Sequence, residues 1–231
     1  MYNKRHQIEF EKYAKTYDSN ANVQKKVAKE LVGKLNFKPK KILDLGCGTG
    51  EVYKNISWKI DKFIGVDSSK TMCDIHPKEK NVELLCEDFE SVGFFEKLKK
   101  YDNFDLIISS SSLQWSKDIK KVFELSRQLS KRVAFSIFTD GTFKTIYEIT
   151  KRESFLPSYD TLVLDSKVFK NRRVEKKVFK IDFDETISMI RHIKMSGTGG
   201  GNSVLNYKEI KYLIENYPYK YLEFEVAYIL N

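Results

Sequence analysis

The chain has 231 residues, 41% of them apolar and 13% aromatic, and its 41 basic against 32 acidic residues leave a net charge of +9 at pH 7. That is chain enough for one domain with a substantial core, too apolar for a disordered one, and without the roughly 18 uninterrupted apolar residues of a membrane span. The positive field favours an anionic partner such as nucleic acid, a membrane surface or an acidic protein, although a lysine-biased proteome yields the same count. "MYNKRHQIEFEKYAK" is charged throughout and lacks the apolar centre of a signal peptide. Cys47, Cys73 and Cys86 are an odd set without C-x-x-C spacing, so neither a disulfide framework nor a metal site is expected. A reducing, cytoplasmic setting fits.

Phe10, Tyr13 and Tyr17 fall at helical spacing within 4–17, and Val23, Val27, Leu31 and Leu35 recur every four residues after Ser19 and Asn20. Two helices are therefore predicted, an N-terminal helical lid over 1–36. Through 37–138, "KILDLG" (41–46), "FIGVD" (63–67), "VELLC" (82–86), "FDLIIS" (104–109) and "RVAFSIF" (132–138) alternate with charged or helical stretches. Short apolar strands separated by crossovers predict an α/β fold, a doubly wound, mostly parallel sheet covered on both faces. Residues 139–206 are too long for a plain crossover. With two helix-like pieces, a basic stretch and "GTGGGN" (197–202), they are expected to form an α-helical cap over the sheet edge where open α/β sheets bind ligands. A helix and the last strand, "YLEFEVAYIL" (221–230), fill 207–231, and the absence of repeats or linkers makes 1–231 one domain.

"ILDLGCGTGEV" (42–52) places Gly46, Gly48 and Gly50 directly after an apolar run. Glu51 stands where a dinucleotide fingerprint has its third glycine, and no Lys-Ser/Thr pair follows Gly50 to make a triphosphate loop. Asp44 would repel a pyrophosphate but attract an ammonium group. S-adenosylmethionine has such an ammonium and no phosphate, and "LDLGCGTG" resembles motif I of the class I S-adenosylmethionine-dependent methyltransferases. That resemblance implies a Rossmann-like fold and a cofactor turn made of Asp44, Gly46, Cys47, Gly48 and Gly50. It further implies that Asp67, 23 residues after Asp44 and followed by Ser68, takes the ribose hydroxyls. Asp88 and Phe89 of "CEDFE" take the adenine amino group and ring, with Ser109 and Ser110 closing the site at the fourth strand's end. Taken singly, each has a plainer alternative: a tight turn for the glycines, a helix cap with Ser68 and Ser69 for Asp67, and an ordinary surface acid for Asp88.

The fourth strand runs into "SSSSLQWSKDI" (109–119). It lacks the [DN]-P-P-[YFW] of nucleobase amino-methylases, which argues against DNA exocyclic amines and leaves RNA open. "LQW" followed by a polar stretch and Asp118 resembles the malonyl-[acyl-carrier-protein] O-methyltransferases of biotin synthesis. "FEKYAKTYDSNANVQKKVAKEL" (10–31), "FSIFTDGTFKTIYEI" (135–149) and "IRHIKMSGTGGGN" (190–202) are similar to that family too. One departure is the "SKR" before "RVAFSIF", where the family has a Pro-Gly-Gly turn. The resemblance implies methyl transfer to the free carboxyl of malonyl-acyl carrier protein or malonyl-CoA. A carboxyl with a reference pKa of about 4 is already ionised and needs no general base. Tyr17, Gln114 and Trp115 are the candidates for orienting the acceptor, with a core-aromatic role the alternative for Tyr17 and Trp115. Arg152, Arg191, His192 and Lys194 are candidate substrate contacts within 139–206, each otherwise a solvated surface group.

Other acceptors remain: another small carboxylate, RNA, or none at all in a cofactor-binding regulatory protein. "KVFKNRRVEKKVFK" (167–180), with seven basic residues and one acid, suits docking of an acidic carrier protein, a strand edge whose charges block aggregation, or an RNA footprint. Nothing matches a stand-alone RNA-binding module, so nucleic acid ranks last. "GTGGGN" follows a helix and is expected as a helix stop and hinge.

Overall fold

A computed structural model describes residues 21–195 and 205–231. The predicted first helix, Tyr17 and the hinge at 197–202 lie outside the described residues. Helix α1 (Asn22–Gly33) buries Val23, Val27, Ala28 and Leu31 on one stripe, as the four-residue spacing requires.

Seven strands form one sheet in the order β3-β2-β1-β4-β5-β7-β6. They are β1 (Lys41–Leu45), β2 (Lys62–Val66), β3 (Val82–Leu85), β4 (Leu106–Ser110), β5 (Val133–Phe138), β6 (Arg173–Asp182) and β7 (Tyr221–Leu230). The first five pair in parallel, and β7 runs antiparallel between β5 and β6. Alternation at period two splits the core between the faces: Ile42 packs with α1 on one, Leu43 and Leu45 with Phe123 and Phe135 on the other. The short crossovers include α2 (Glu51–Asn55), α3 (Lys70–Ile75), α4 (Phe94–Leu98) and α5 (Ile119–Leu129). Strand order reverses between β1 and β4, which opens a crevice at their C-terminal ends.

Segment 139–206 departs from a purely helical cap. Besides α6 (Lys144–Thr150), α7 (Tyr159–Asp165) and α8 (Thr186–Met195), it contributes β6, which pairs with β7 along its whole length. The basic stretch is the reason the strand reads poorly in sequence. Val174 packs against one core face and Phe179 and Ile181 against the other, while the intervening lysines sit exposed on the sheet's edge. Much of their charge is met locally. Lys177 pairs with Glu30 at 2.6 Å, Lys176 with Glu225 at 3.4 Å and Arg173 with Glu175 at 2.7 Å, and Lys180 lies 3.9 Å from the centre of the Tyr221 ring. α9 (Tyr207–Asn216) begins with a capping box between Asn206 and Glu209.

Candidate functional site

The glycine turn leaves β1 with its backbone tied to β2: the N–H groups of Gly46 and Cys47 both donate to the Val66 carbonyl, at 2.7 and 2.9 Å. Gly46 sits at φ +74°, and a Cβ there would fall 1.8 Å from Ser112 Oγ. Glycine is needed because the loops after β1 and β4 touch at this point. Asp67, at the end of β2, receives the Gly48 N–H on Oδ2 at 2.9 Å and the Ser69 N–H on Oδ1 at 2.8 Å. Burial pushes its carboxyl up, against those two bonds, which hold it down.

Beneath the turn, Asp44 is fully buried, and neither of its oxygens has a hydrogen-bond partner among the described residues. Burial, then the neighbouring Asp67 charge, drives its pKa well above the usual carboxylate range. A buried carboxylate in this state is complementary to a cation and costly without one. Cys47 is also buried, and desolvation, then the Asp67 and Asp44 charges, raises its thiol well above the ordinary value, which disfavours the nucleophilic thiolate.

The crevice holds a cavity of about 140 Å³ and opens to solvent. Gly46, Cys47, Gly48, Asp67, Ser68, Asp88, Phe89, Ser110 and Trp115, all expected from the sequence, line it. Among the described lining residues are four carboxylates (Glu51, Asp67, Asp88 and Glu90) and no Lys, Arg or His. The field therefore favours a cationic ligand.

Other expected residues sit close by without lining it. Ser109 is fully buried, and its hydroxyl donates to the Leu45 carbonyl at 2.6 Å, bracing β4 against β1. Gly50 caps the start of α2 against Pro77 and His76. Gln114 is buried, its Nε2 donating to the Ser111 carbonyl at 2.7 Å. That bond fixes the left-handed backbone of Ser111, at φ +56°. Trp115 stacks on Phe155, 5.6 Å between ring centres and 17° from parallel, which joins the crevice wall to the 139–206 segment.

Of the candidate substrate contacts, Arg152, Arg191 and His192 do not line the crevice. Arg152 is held bidentately by Glu209, Nε to Oε1 at 2.7 Å and Nη2 to Oε2 at 2.8 Å, so it locks the start of α9. His192 packs between Phe183 and Phe224, and burial lowers its pKa. Arg191 is exposed on α8, while Tyr17 and the Lys194 side chain lie outside the described residues. Ten lining residues escaped the sequence reading, among them Gln24 from α1, Met72 from α3, and Glu90 and Ser112 from loops. Glu90 left a trace, an acid two positions after Asp88; Ser112 left none beyond the serine run.

Residues 42–132 match a family model described as a methyltransferase domain. The malonyl-[acyl-carrier protein] O-methyltransferase of Priestia megaterium is 34% identical over 151 residues, 60% of this chain but 53% of that protein, so the match spans about half the relative's length. The protein of the same name from Anoxybacillus flavithermus is 27% identical over 239 aligned positions, covering 94% of this chain and 90% of its own. Among solved structures, the plantazolicin methyltransferase BamL, in complex with a triazolic desmethylPZN analog and SAH, superposes with a TM-score of 0.53 at 16% identity, over 99% of this chain and 95% of its own. The chain has the mostly parallel, doubly wound class I methyltransferase fold, with the methyltransferase-domain match over residues 42–132 lying across its glycine turn and crevice.

Proposed function

We propose that the protein is an S-adenosylmethionine-dependent O-methyltransferase that esterifies the free carboxyl of a malonyl thioester, on acyl carrier protein or CoA, at the start of biotin (pimeloyl) synthesis. The observation that carries the cofactor half is Asp44, a buried and partnerless carboxylate under a crevice lined by four more acids. These residues fit a ligand bearing an ammonium and a sulfonium. The names of the curated relatives support the acceptor half.

In this reading the cofactor supplies an electrophilic methyl group on a positively charged sulfur. Asp67 keeps lone pairs for the ribose hydroxyls while Gly48 and Ser69 hold it still. Asp88 and Phe89 serve the adenine, and Asp44 with the glycine turn balances the ammonium. The carboxylate acceptor arrives ionised, so no side chain has to remove a proton. The protein's work is alignment and exclusion of water. The stacked Trp115 and Phe155 rings supply an apolar wall for that purpose, and the protonated Cys47 does not compete for the methyl group.

The test is transfer of labelled methyl from S-adenosylmethionine to malonyl-carrier protein, malonyl-CoA, acetyl-carrier protein and bulk RNA in parallel. Label on the malonyl thioesters and not on the acetyl control supports carboxyl methylation. Label on RNA alone, or on none of the four, overturns the acceptor assignment.

A further inference from the structure

Two loops far apart in sequence share one carboxylate. Glu90, in the loop after β3, accepts on Oε1 from the Ser116 hydroxyl at 2.7 Å, from the Lys117 N–H at 2.9 Å and from the Asp118 N–H at 3.4 Å. Ser116 Oγ accepts in turn from the Asp118 N–H at 3.2 Å, and Asp118 caps α5 by accepting from the Lys121 N–H. Three donors thus converge on one oxygen at the start of the helix that follows β4.

Each end of this link leads into the crevice. On one side the N–H of Glu90 donates to Asp88 Oδ1 at 2.8 Å, which fixes the carboxylate assigned to the adenine. On the other, Ser116 directly follows Trp115, which lines the crevice and stacks on Phe155. A charged acceptor makes the link stiff, since bonds to an ionised oxygen are roughly twice as strong as neutral ones. We infer that Glu90 is a positioning residue that couples cofactor occupancy to the placement of the Trp115 wall against the acceptor. The inference rests on the methyltransferase reading above, and deepens it. Coupling of this kind is reciprocal: whatever the cofactor does to the wall, an acceptor held by the wall does to the cofactor.

The experiment titrates S-adenosylhomocysteine into the wild type, Glu90→Ala and Glu90→Gln while following tryptophan emission and, separately, binding heat. The chain has two tryptophans. Trp58, bonded to the Pro39 carbonyl outside the crevice, provides a constant background. Glu90→Ala is expected to lose the emission response even at saturating S-adenosylhomocysteine, and to raise the acceptor KM about tenfold while kcat falls less. Glu90→Gln, which retains an acceptor oxygen, recovers part of the response. If Glu90→Ala folds poorly, Ser116→Ala removes one donor without touching the charge and moves the same readouts less. A wild-type emission response in Glu90→Ala, or no response in a wild type that binds by heat, overturns the inference. A wild type that binds no S-adenosylhomocysteine at all sinks the methyltransferase reading itself.

Discussion

Replacing Asp44 by Asn should make the protein more stable and worse at binding its cofactor, and the two effects have one cause. Both carboxylate oxygens are buried without a partner among the described residues, and Asp67 lies close enough to raise the Asp44 pKa further. An unsatisfied buried polar group costs about 1–3 kcal/mol, and more when charged. Removing a carboxyl that must either give up its charge or hold it unpaired should therefore return about 1 kcal/mol or more at pH 8, a rise in Tm of about 2–4 °C for a domain of this size. The sign with pH follows from the raised pKa. Between the ordinary carboxylate range and the folded value, the native state holds a proton that the unfolded state has released, so wild-type stability falls as pH rises through that window. The Tm advantage of Asp44→Asn should accordingly widen from about pH 4 upward. Binding moves the other way. A carboxylate balancing a nearby ammonium is worth about 2–4 kcal/mol at an effective dielectric of about 20. The loss in affinity should be about 30-fold or greater. Scanning calorimetry across pH and calorimetric titration with S-adenosylhomocysteine measure both. A variant that melts lower than wild type at pH 8, or binds as tightly, refutes the reasoning.

Two further substitutions separate site from scaffold. Gly46→Ala puts a Cβ 1.8 Å from Ser112 Oγ at a left-handed φ. Left-handed backbone alone costs about 1–2 kcal/mol, so Tm should fall by about 3 °C or more with loss of S-adenosylhomocysteine binding. A wild-type melt and titration would contradict the contact between the β1 and β4 loops. Arg152→Ala breaks both bonds to Glu209 and should lower Tm by about 2–4 °C, while the acceptor KM stays within about twofold. A raised KM at unchanged Tm would return Arg152 to the acceptor site.

The parallel sheet was legible because its first five strands are short, mostly apolar runs bounded by polar residues, and β1, β2, β4 and β5, buried on both faces, leave no other pattern. The glycine turn, Asp67, Asp88 and Phe89 were legible for a related reason. They sit immediately after strands, where position in the sequence fixes position at the crevice. β6 was harder, since its lysines occupy the solvent-facing edge and hide the alternation of Val174, Phe179 and Ile181. Arg152 is placed by a different kind of contact. A cation in an insertion looks available until the fold brings Glu209 from a separate helix to meet it, and no local pattern reports a pairing over 57 residues. Ser109 and Gln114 belong to the same class, polar side chains drawn to backbone carbonyls by tertiary packing. Glu90 could have been found only by asking what its loop must hold in place.

The position of β7 has a consequence for how the chain is made. It is the last strand in chain order, yet it lies between β5 and β6 and pairs with both, ten residues deep against β6. At a ribosomal pace of roughly 5–20 residues per second, β5 leaves the tunnel with a bare edge and β6 with nothing yet to pair against. Until Tyr221–Leu230 emerges, the growing chain exposes Phe135, Ile137 and Phe138 beside an open ladder, the arrangement most prone to capture by another nascent chain. The half of the sheet that carries the glycine turn closes without β7. Chaperone dependence and aggregation during synthesis should therefore map to the late pairing of β7 with β5 and β6, and variants that slow or fray β7 should fail in yield before they fail in cofactor binding.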